Sequence, residues 1–178
     1  ARPATGRVIR RFVDRNFCAY RYDYRREWGR VSAALAPSAA PEEVCRQLQT
    51  LAREIFDADH IAIHFREDPA GAFRLLHGPS GTPTTLEATH PLVSWFDRER
   101  WPVLFAERGL DPDLAAGVEA SRLLRTSIGA AVCAPLAIGE PVIALLWMSP
   151  KRGDEAWSDE DLEFLAAMSR QLASALWF

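Results

Sequence analysis

The chain has 178 residues, 48% of them apolar and 25% charged, with a formal net charge of −3. That length suits one domain plus an appendage, and the apolar share supports a core without disulfide or metal staples. No apolar run approaches the roughly 20 residues of a bilayer span. Cys18, Cys45 and Cys133 form no CxxC pair, so a reduced, cytosolic environment is expected. The chain starts at Ala1 rather than Met, which points to a segment excised from a longer protein.

Charge is distributed unevenly. Residues 1–30 hold nine arginines against Asp14, Asp23 and Glu27, a balance of +6; the remainder carries −9. This basic arm also holds Phe12, Phe17, Tyr20, Tyr22, Tyr24 and Trp28. So many aromatics argue for packing on the body or a juxtamembrane position. No nucleic-acid motif accompanies the charge, and no nucleic-acid partner is expected. The stretch Pro37-Ser38-Ala39-Ala40-Pro41 ends the arm, which gives an arm over residues 1–40 and a domain over 41–178.

The domain opens with a helix over 41–56. Pro41 suits its first turn, Glu42 and Glu43 complement its positive end, and Val44, Leu48, Leu51 and Ile55 share one face. Residues 61–65 and 71–77 read as a strand pair joined by a turn at Asp68-Pro69-Ala70-Gly71, and 79–85 as a loop. Thr89-His90-Pro91 starts a short helix through Trp95 and Phe96. Residues 101–105 form a weak strand. Asp111-Pro112 caps a helix carrying Leu114, Val118 and Leu123. Residues 129–138 and 142–148 are apolar strands around a Gly139-Glu140-Pro141 turn, with Pro135 demanding an edge or a bulge. Ser158 and Asp161 form a capping box for a last helix buried through Leu162, Leu165, Leu172 and Leu176, with Met168 beside them. Short turns between strand pairs mean an antiparallel sheet, and helices at both ends of the domain cover one face of it. The fold class is α+β.

Catalytic signals are sparse. His60 and His64 stand four apart, but on a strand that is about 13 Å, too far for one metal ion. Cys133 lies in a buried strand, where a free thiol acts as a small hydrophobe. No nucleophile elbow, P-loop or dinucleotide fingerprint occurs. The aromatic set Phe65, Phe73, Trp95, Phe96, Trp101 and Trp147 is the strongest hint of a ligand pocket, with plain core packing as the competing reading. Arg122 and Arg125 stand where they could meet an anionic ligand at its rim.

Ala130-Ala131-Val132-Cys133-Ala134-Pro135-Leu136, then Pro141-Val142-Ile143-Ala144-Leu145-Leu146, Trp157-Ser158-Asp159-Glu160-Asp161-Leu162 and Gln171-Leu172-Ala173-Ser174-Ala175-Leu176 resemble the GAF domain in order and spacing. The resemblance covers about residues 41–176. It implies a GAF/PAS-like antiparallel sheet of five to six strands, with the first and last helices on one face and a helical connection on the other. A pocket between sheet and connection would be lined by Phe65, Trp95, Phe96, Trp101, Arg125, Cys133 and Trp147. Phe12-Val13-Asp14-Arg15-Asn16-Phe17, Tyr22-Asp23-Tyr24-Arg25-Arg26-Glu27-Trp28, Pro91-Leu92-Val93-Ser94-Trp95-Phe96 and Trp101-Pro102-Val103 further resemble the sensor histidine kinases of the PEP-CTERM/exosortase type.

That narrower resemblance implies a membrane-tethered parent with this region on the cytoplasmic side, an ATP-binding kinase domain downstream and a response regulator as partner; a homodimer through the outer helices is expected from the apolar Leu176-Trp177-Phe178 of the last helix. The resemblance implies no metal and no cofactor in this segment, and at most an unknown small-molecule ligand. The segment lacks a phosphoacceptor box and an ATP lid, so it is not expected to be catalytic itself. A GAF-fold methionine sulfoxide reductase and a ligand-free dimerising spacer are the alternatives. Cys18 and Cys45 fall in the arm and the first helix rather than in loops, which disfavours the reductase. No Cys-His pair supports bilin attachment.

Overall fold

The computed structural model describes residues 24–34, 40–107 and 109–177. Readings that fall on residues 1–23, including Cys18 and most of the basic arm, lie outside the described residues. The arm's described part is helix α1 (Tyr24–Ala34), which packs on the first domain helix through the fully buried Val31. Arg30 pairs with Glu54 of that helix, and Gln171 of the last helix donates to Ser32 Oγ at 3.1 Å.

The first domain helix, α2 (Pro41–Phe56), carries proline in its first turn and buries Val44, Leu48, Leu51 and Ile55 as the spacing requires. It stops at Asp57, whose left-handed backbone (φ 55°) turns the Asp57 N–H back onto Ala52. Strands β1 (Ile61–Phe65), β2 (Phe73–His77) and the two-residue β3 (Thr85–Leu86) follow. The strand expected over 71–77 is shorter, and β3 forms at the end of what the sequence marks as loop. Helix α3 (Pro91–Glu99) is capped by His90, whose Nδ1 accepts from the Leu92 N–H at 3.2 Å. The strand expected over 101–105 is reduced to β4 (Val103–Leu104).

Asp111 caps α4 (Pro112–Ala120) by accepting from the Asp113 N–H, as its sequence indicates. The chain then breaks at Ser121, whose hydroxyl donates to the Gly117 carbonyl at 2.7 Å, and a separate short helix α5 (Arg122–Ile128) begins. The break corrects the sequence expectation. Leu124 faces the interior, while Leu123 is 77% exposed. Gly117 sits where a Cβ would come within 3.1 Å of the Leu92 backbone, so its lack of a side chain lets α4 pack close against α3.

Strands β5 (Val132–Ala137) and β6 (Val142–Met148) complete one antiparallel sheet of order β3-β2-β1-β6-β5-β4. Pro135 lies on β5 beyond the reach of β4, which pairs only with Val132 and Cys133. Its missing N–H therefore costs no ladder bond on that side, and the register shifts at the next step, between Leu136 and Ala137. All seven residues of β6 are buried, as a strand covered on both faces must be.

On one face, α2 and the last helix α6 (Asp159–Trp177) enclose Ile61, Ile63, Val132, Ala134, Leu136, Leu146 and Met148. On the other, α3, α4 and α5 enclose Ala62, Cys133, Leu145 and Trp147. The expected layering is observed. No helix among the described residues is long and apolar enough to cross a membrane.

A buried ion pair anchors α6. The Asp161 carboxylate accepts from the Ser158 N–H at 2.7 Å and the Ser158 hydroxyl at 2.9 Å, while the Asp161 N–H donates back to Ser158 Oγ at 3.2 Å. The capping box read from the sequence is therefore formed. The same carboxylate meets Lys151 Nζ at 2.6 Å, with both side chains buried. Lys151 is the chain's single lysine and lies 5.5 Å from the Trp157 ring centroid. Replacing Lys151 by Met leaves a buried carboxylate without its cation, at an expected cost of about 3–5 kcal/mol in urea unfolding. In the native wild-type chain, amine-reactive reagents are expected to leave Lys151 unmodified until denaturant is added; acylation of Lys151 in the folded state would contradict its burial.

Candidate functional site

Alternation along three central strands selects which side chains meet beneath α3–α5. Ala62 and Cys133 are the cross-strand neighbours of Trp147, and Val103 is the neighbour of Cys133, so the four form a row across the sheet. Phe105, just after β4, stacks on Trp147 with centroids 6.0 Å apart and planes inclined by 19°. The Arg125 guanidinium of α5 lies 4.7 Å from the Phe105 centroid. The His64 ring lies 6.2 Å from Trp147 between centroids, in a T-shaped arrangement with planes inclined by 79°.

Among the residues expected to line a pocket, Trp95, Phe96, Cys133 and Trp147 share this core, and Arg125 stands at its rim. Phe65 and Trp101 do not. Both pack against the opposite core, under α2 and α6. Phe65 follows from strand parity: with Ile61 and Ile63 on the α2/α6 face, residue 65 must share it. Trp101 precedes β4 and is drawn to the same face. Arg122 points away and pairs with Glu119 at 3.6 Å.

His64 and Phe105 enter the site in their place. The cue for His64 is a lone polar residue inside the apolar stretch Ile61-Ala62-Ile63-His64-Phe65. Phe105 carries no comparable signal, because it sits in a loop that only tertiary packing orients. His60, just before β1, is exposed and has no part in the site.

His64 Nε2 lies 2.8 Å from the Pro83 carbonyl. A carbonyl only accepts, so Nε2 carries the proton and Nδ1 presents a bare lone pair. Nδ1 is buried without a partner, as are Trp147 Nε1 and Arg125 Nε among the described residues. Leaving such a group unsatisfied costs about 1–3 kcal/mol, and Gln47 Oε1, Trp157 Nε1 and Ser169 Oγ on the α2/α6 side are buried without a partner as well.

Burial holds the His64 pKa below its ordinary value, opposed by the hydrogen bond to Pro83; burial likewise lowers His77 and His90. The unfolded chain then binds more protons than the folded one just below imidazole's ordinary value of about 6.5. Stability is therefore full above that pH and declines as pH falls through it. A His64→Phe variant is expected to show a shallower loss of Tm between about pH 6.5 and 5. An unchanged pH slope would contradict a buried, neutral His64.

Neither Cys45 nor Cys133 is an activated thiol. Burial, and secondarily the charge of Glu42, push the Cys45 thiol up to about 11, and complete burial raises Cys133 well above its ordinary value. They lie in opposite cores, separated by the sheet, and cannot pair. In a Cys18→Ser variant, a thiol reagent is expected to label neither cysteine until the chain unfolds. No cluster of three or more metal-ligating side chains occurs among the described residues.

The family model for the GAF domain matches residues 40–176. The fold resembles the GAF domain of a phosphoenolpyruvate-protein phosphotransferase from Coxiella burnetii, at 12% identity and a TM-score of 0.63, covering 88% of this chain and 94% of that one. It also resembles the phycoerythrobilin-bound GAF domain of a cyanobacterial phytochrome, at 17% identity and a TM-score of 0.60, covering 88% and 95%. A third likeness is to residues 122 to 287 of a methyl-accepting chemotaxis protein, at 15% identity and a TM-score of 0.59, covering 82% and 94%. No curated protein matches the sequence.

Proposed function

The chain belongs to the GAF domain family, and from that premise we propose that it is a non-catalytic sensory domain of a bacterial two-component sensor histidine kinase. A small molecule or partner domain is sensed beneath α3–α5. The response passes through α2 and α6 to a kinase core elsewhere in the same, membrane-tethered polypeptide, which uses ATP and a response regulator. The observation that carries the reading is the two-sided use of β1, β5 and β6. Trp147 and Cys133 face the core beneath α3–α5, while Leu146, Met148, Val132 and Ala134 on the same strands support α2 and α6. A ligand acts by preferring one arrangement of these helices, and it can shift them by no more than its differential affinity.

The high thiol pKa values and the separation of Cys45 from Cys133 weigh against a reductase on this fold. Similarities to a phytochrome GAF domain and to a segment of a chemotaxis protein at this identity support the scaffold, and the kinase context rests on the sequence resemblance alone.

Two measurements test the reading. Spin labels at Thr50→Cys on α2 and Arg170→Cys on α6, both exposed positions, are expected to change separation when a stabilising compound from a metabolite thermal-shift screen is added. An unchanged separation with a bound compound would leave only a spacer role. Homodimerisation through the outer helices is expected in sedimentation equilibrium, and a monomer at high concentration would overturn it. The coding sequence beyond Phe178 is expected to encode a phosphoacceptor helix pair and an ATP-binding domain.

A further inference from the structure

Helix α3 begins on an acceptor that a proton can switch off. His90 Nδ1 accepts from the Leu92 N–H at 3.2 Å. An N–H only donates, so Nδ1 is bare and the neutral ring carries its proton on Nε2. The Ala120 carbonyl, at the end of α4, favours that proton, and Nε2 is otherwise buried without a partner. The usual capping side chains keep an acceptor at neutral and mildly acidic pH; an imidazole does not. Once a second proton binds, both nitrogens are donors and no rotation of the ring restores the cap. The new charge also falls at the positive end of the α3 dipole. The charged groups on the elements around His90 are engaged or exposed. Arg98 of α3 pairs with Asp113 of α4, Arg122 of α5 with Glu119, and Asp97 accepts from the Val142 N–H. Asp111 caps α4, Arg125 lies over Phe105, and Glu87 and Glu99 are exposed. None of them is a cause of the lowered His90 pKa, which follows from burial, opposed by the Ala120 carbonyl.

We propose that His90 is a proton-operated cap: protonation of Nδ1 withdraws the acceptor from the Leu92 N–H and loosens the start of α3 against α4. A Cβ at Gly117 of α4 would come within 3.1 Å of the Leu92 backbone, so the turn that is released is one packed tightly on α4. The other end of α3 stays fastened, by Asp97 to the Val142 N–H and by Arg100 to the Gly139 and Glu140 carbonyls. Acid therefore loosens the cover from its His90 end. With the folded pKa below the ordinary imidazole value of about 6.5, the cap is intact above that pH and is lost as pH falls through the folded value. The response needs no small molecule beneath α3–α5 and goes beyond the reading of the domain as a ligand sensor.

Imidazole nitrogen shifts and amide exchange, read by NMR on the whole chain, test the proton-operated cap. Above about pH 7, His90 is expected to show the neutral tautomer protonated at Nε2. Between about pH 6.5 and 5, protection of the Leu92 amide, corrected for its intrinsic exchange rate, is expected to fall about fivefold, the factor a typical helix cap supplies. Amides of β6 are expected to stay protected over the same range. His90→Ser supplies an acceptor that does not titrate and is expected to abolish the loss at Leu92, whereas His64→Phe is expected to leave it in place. A neutral His90 protonated at Nδ1 overturns the proposal. So does Leu92 protection unchanged by acid, a loss that persists in His90→Ser, or an equal loss in β6, which marks global unfolding. The tautomer and the wild-type exchange decide the matter even if His90→Ser fails to fold. Failure here leaves the ligand-sensing reading standing, since that is decided by the metabolite screen and the α2–α6 separation.

Discussion

Lys151 and Asp161 meet inside the protein, where neither charge is hydrated, and the last helix depends on that contact. Asp161 already closes the capping box with Ser158, so its carboxylate fixes where α6 starts as well as holding the lysine. Lys151 in turn stands in a bridge with Ala58, at the end of α2, and the neighbouring Arg152 donates to the Arg53 carbonyl and reaches Asp57 and Asp59. The segment leaving β6 therefore fastens the end of one terminal helix and the beginning of the other. A buried pair of this kind contributes less to net stability than its Coulomb energy suggests, since desolvation opposes it. Its larger consequence is geometric. With the partners removed from water, few alternative positions of α6 satisfy both charges.

The sheet supplies the other half of the architecture. Strand β6 lies between β1 and β5 and is buried on both faces, so each of its residues belongs to one of two cores. Trp147 faces α3–α5, and Leu146 and Met148 on either side of it face α2 and α6. Four residues after Trp147 comes Lys151. Strand β6 and the start of α6 are thereby joined through one short segment.

The rim is fastened with comparable economy. Asp97 of α3 accepts from the Val142 N–H at 3.3 Å, and Arg66 donates to the Val142 carbonyl at 2.8 Å. Arg100, at the end of α3, donates to the carbonyls of Gly139 and Glu140 in the β5–β6 turn. Helix α3, which carries Trp95 and Phe96 over the site, is thus tied through polar contacts to the hairpin containing Trp147. Coupling by such contacts needs no flexible lid.

Several elements were determined by the sequence alone. Proline and paired glutamates set the start of α2, Asp111-Pro112 the start of α4, and Ser158 with Asp161 the start of α6, because caps act on backbone groups a few residues away. Apolar spacing predicted the buried faces of α2 and α6 for the same local reason. The class of fold, and Trp95, Phe96, Cys133 and Trp147 as neighbours, were legible too. Tertiary structure decided the rest. Phe65 and Trp101 went to the other core, Leu123 gave way to Leu124 once Ser121 broke the helix, and His64 and Phe105 joined Trp147 across long stretches of chain. Strand parity and loop placement carry no strong local signature, since either face of a doubly covered sheet accepts an aromatic ring. The pairing of Lys151 with Asp161 likewise required the fold, because only burial turns two charges ten residues apart into a joint between helix and sheet.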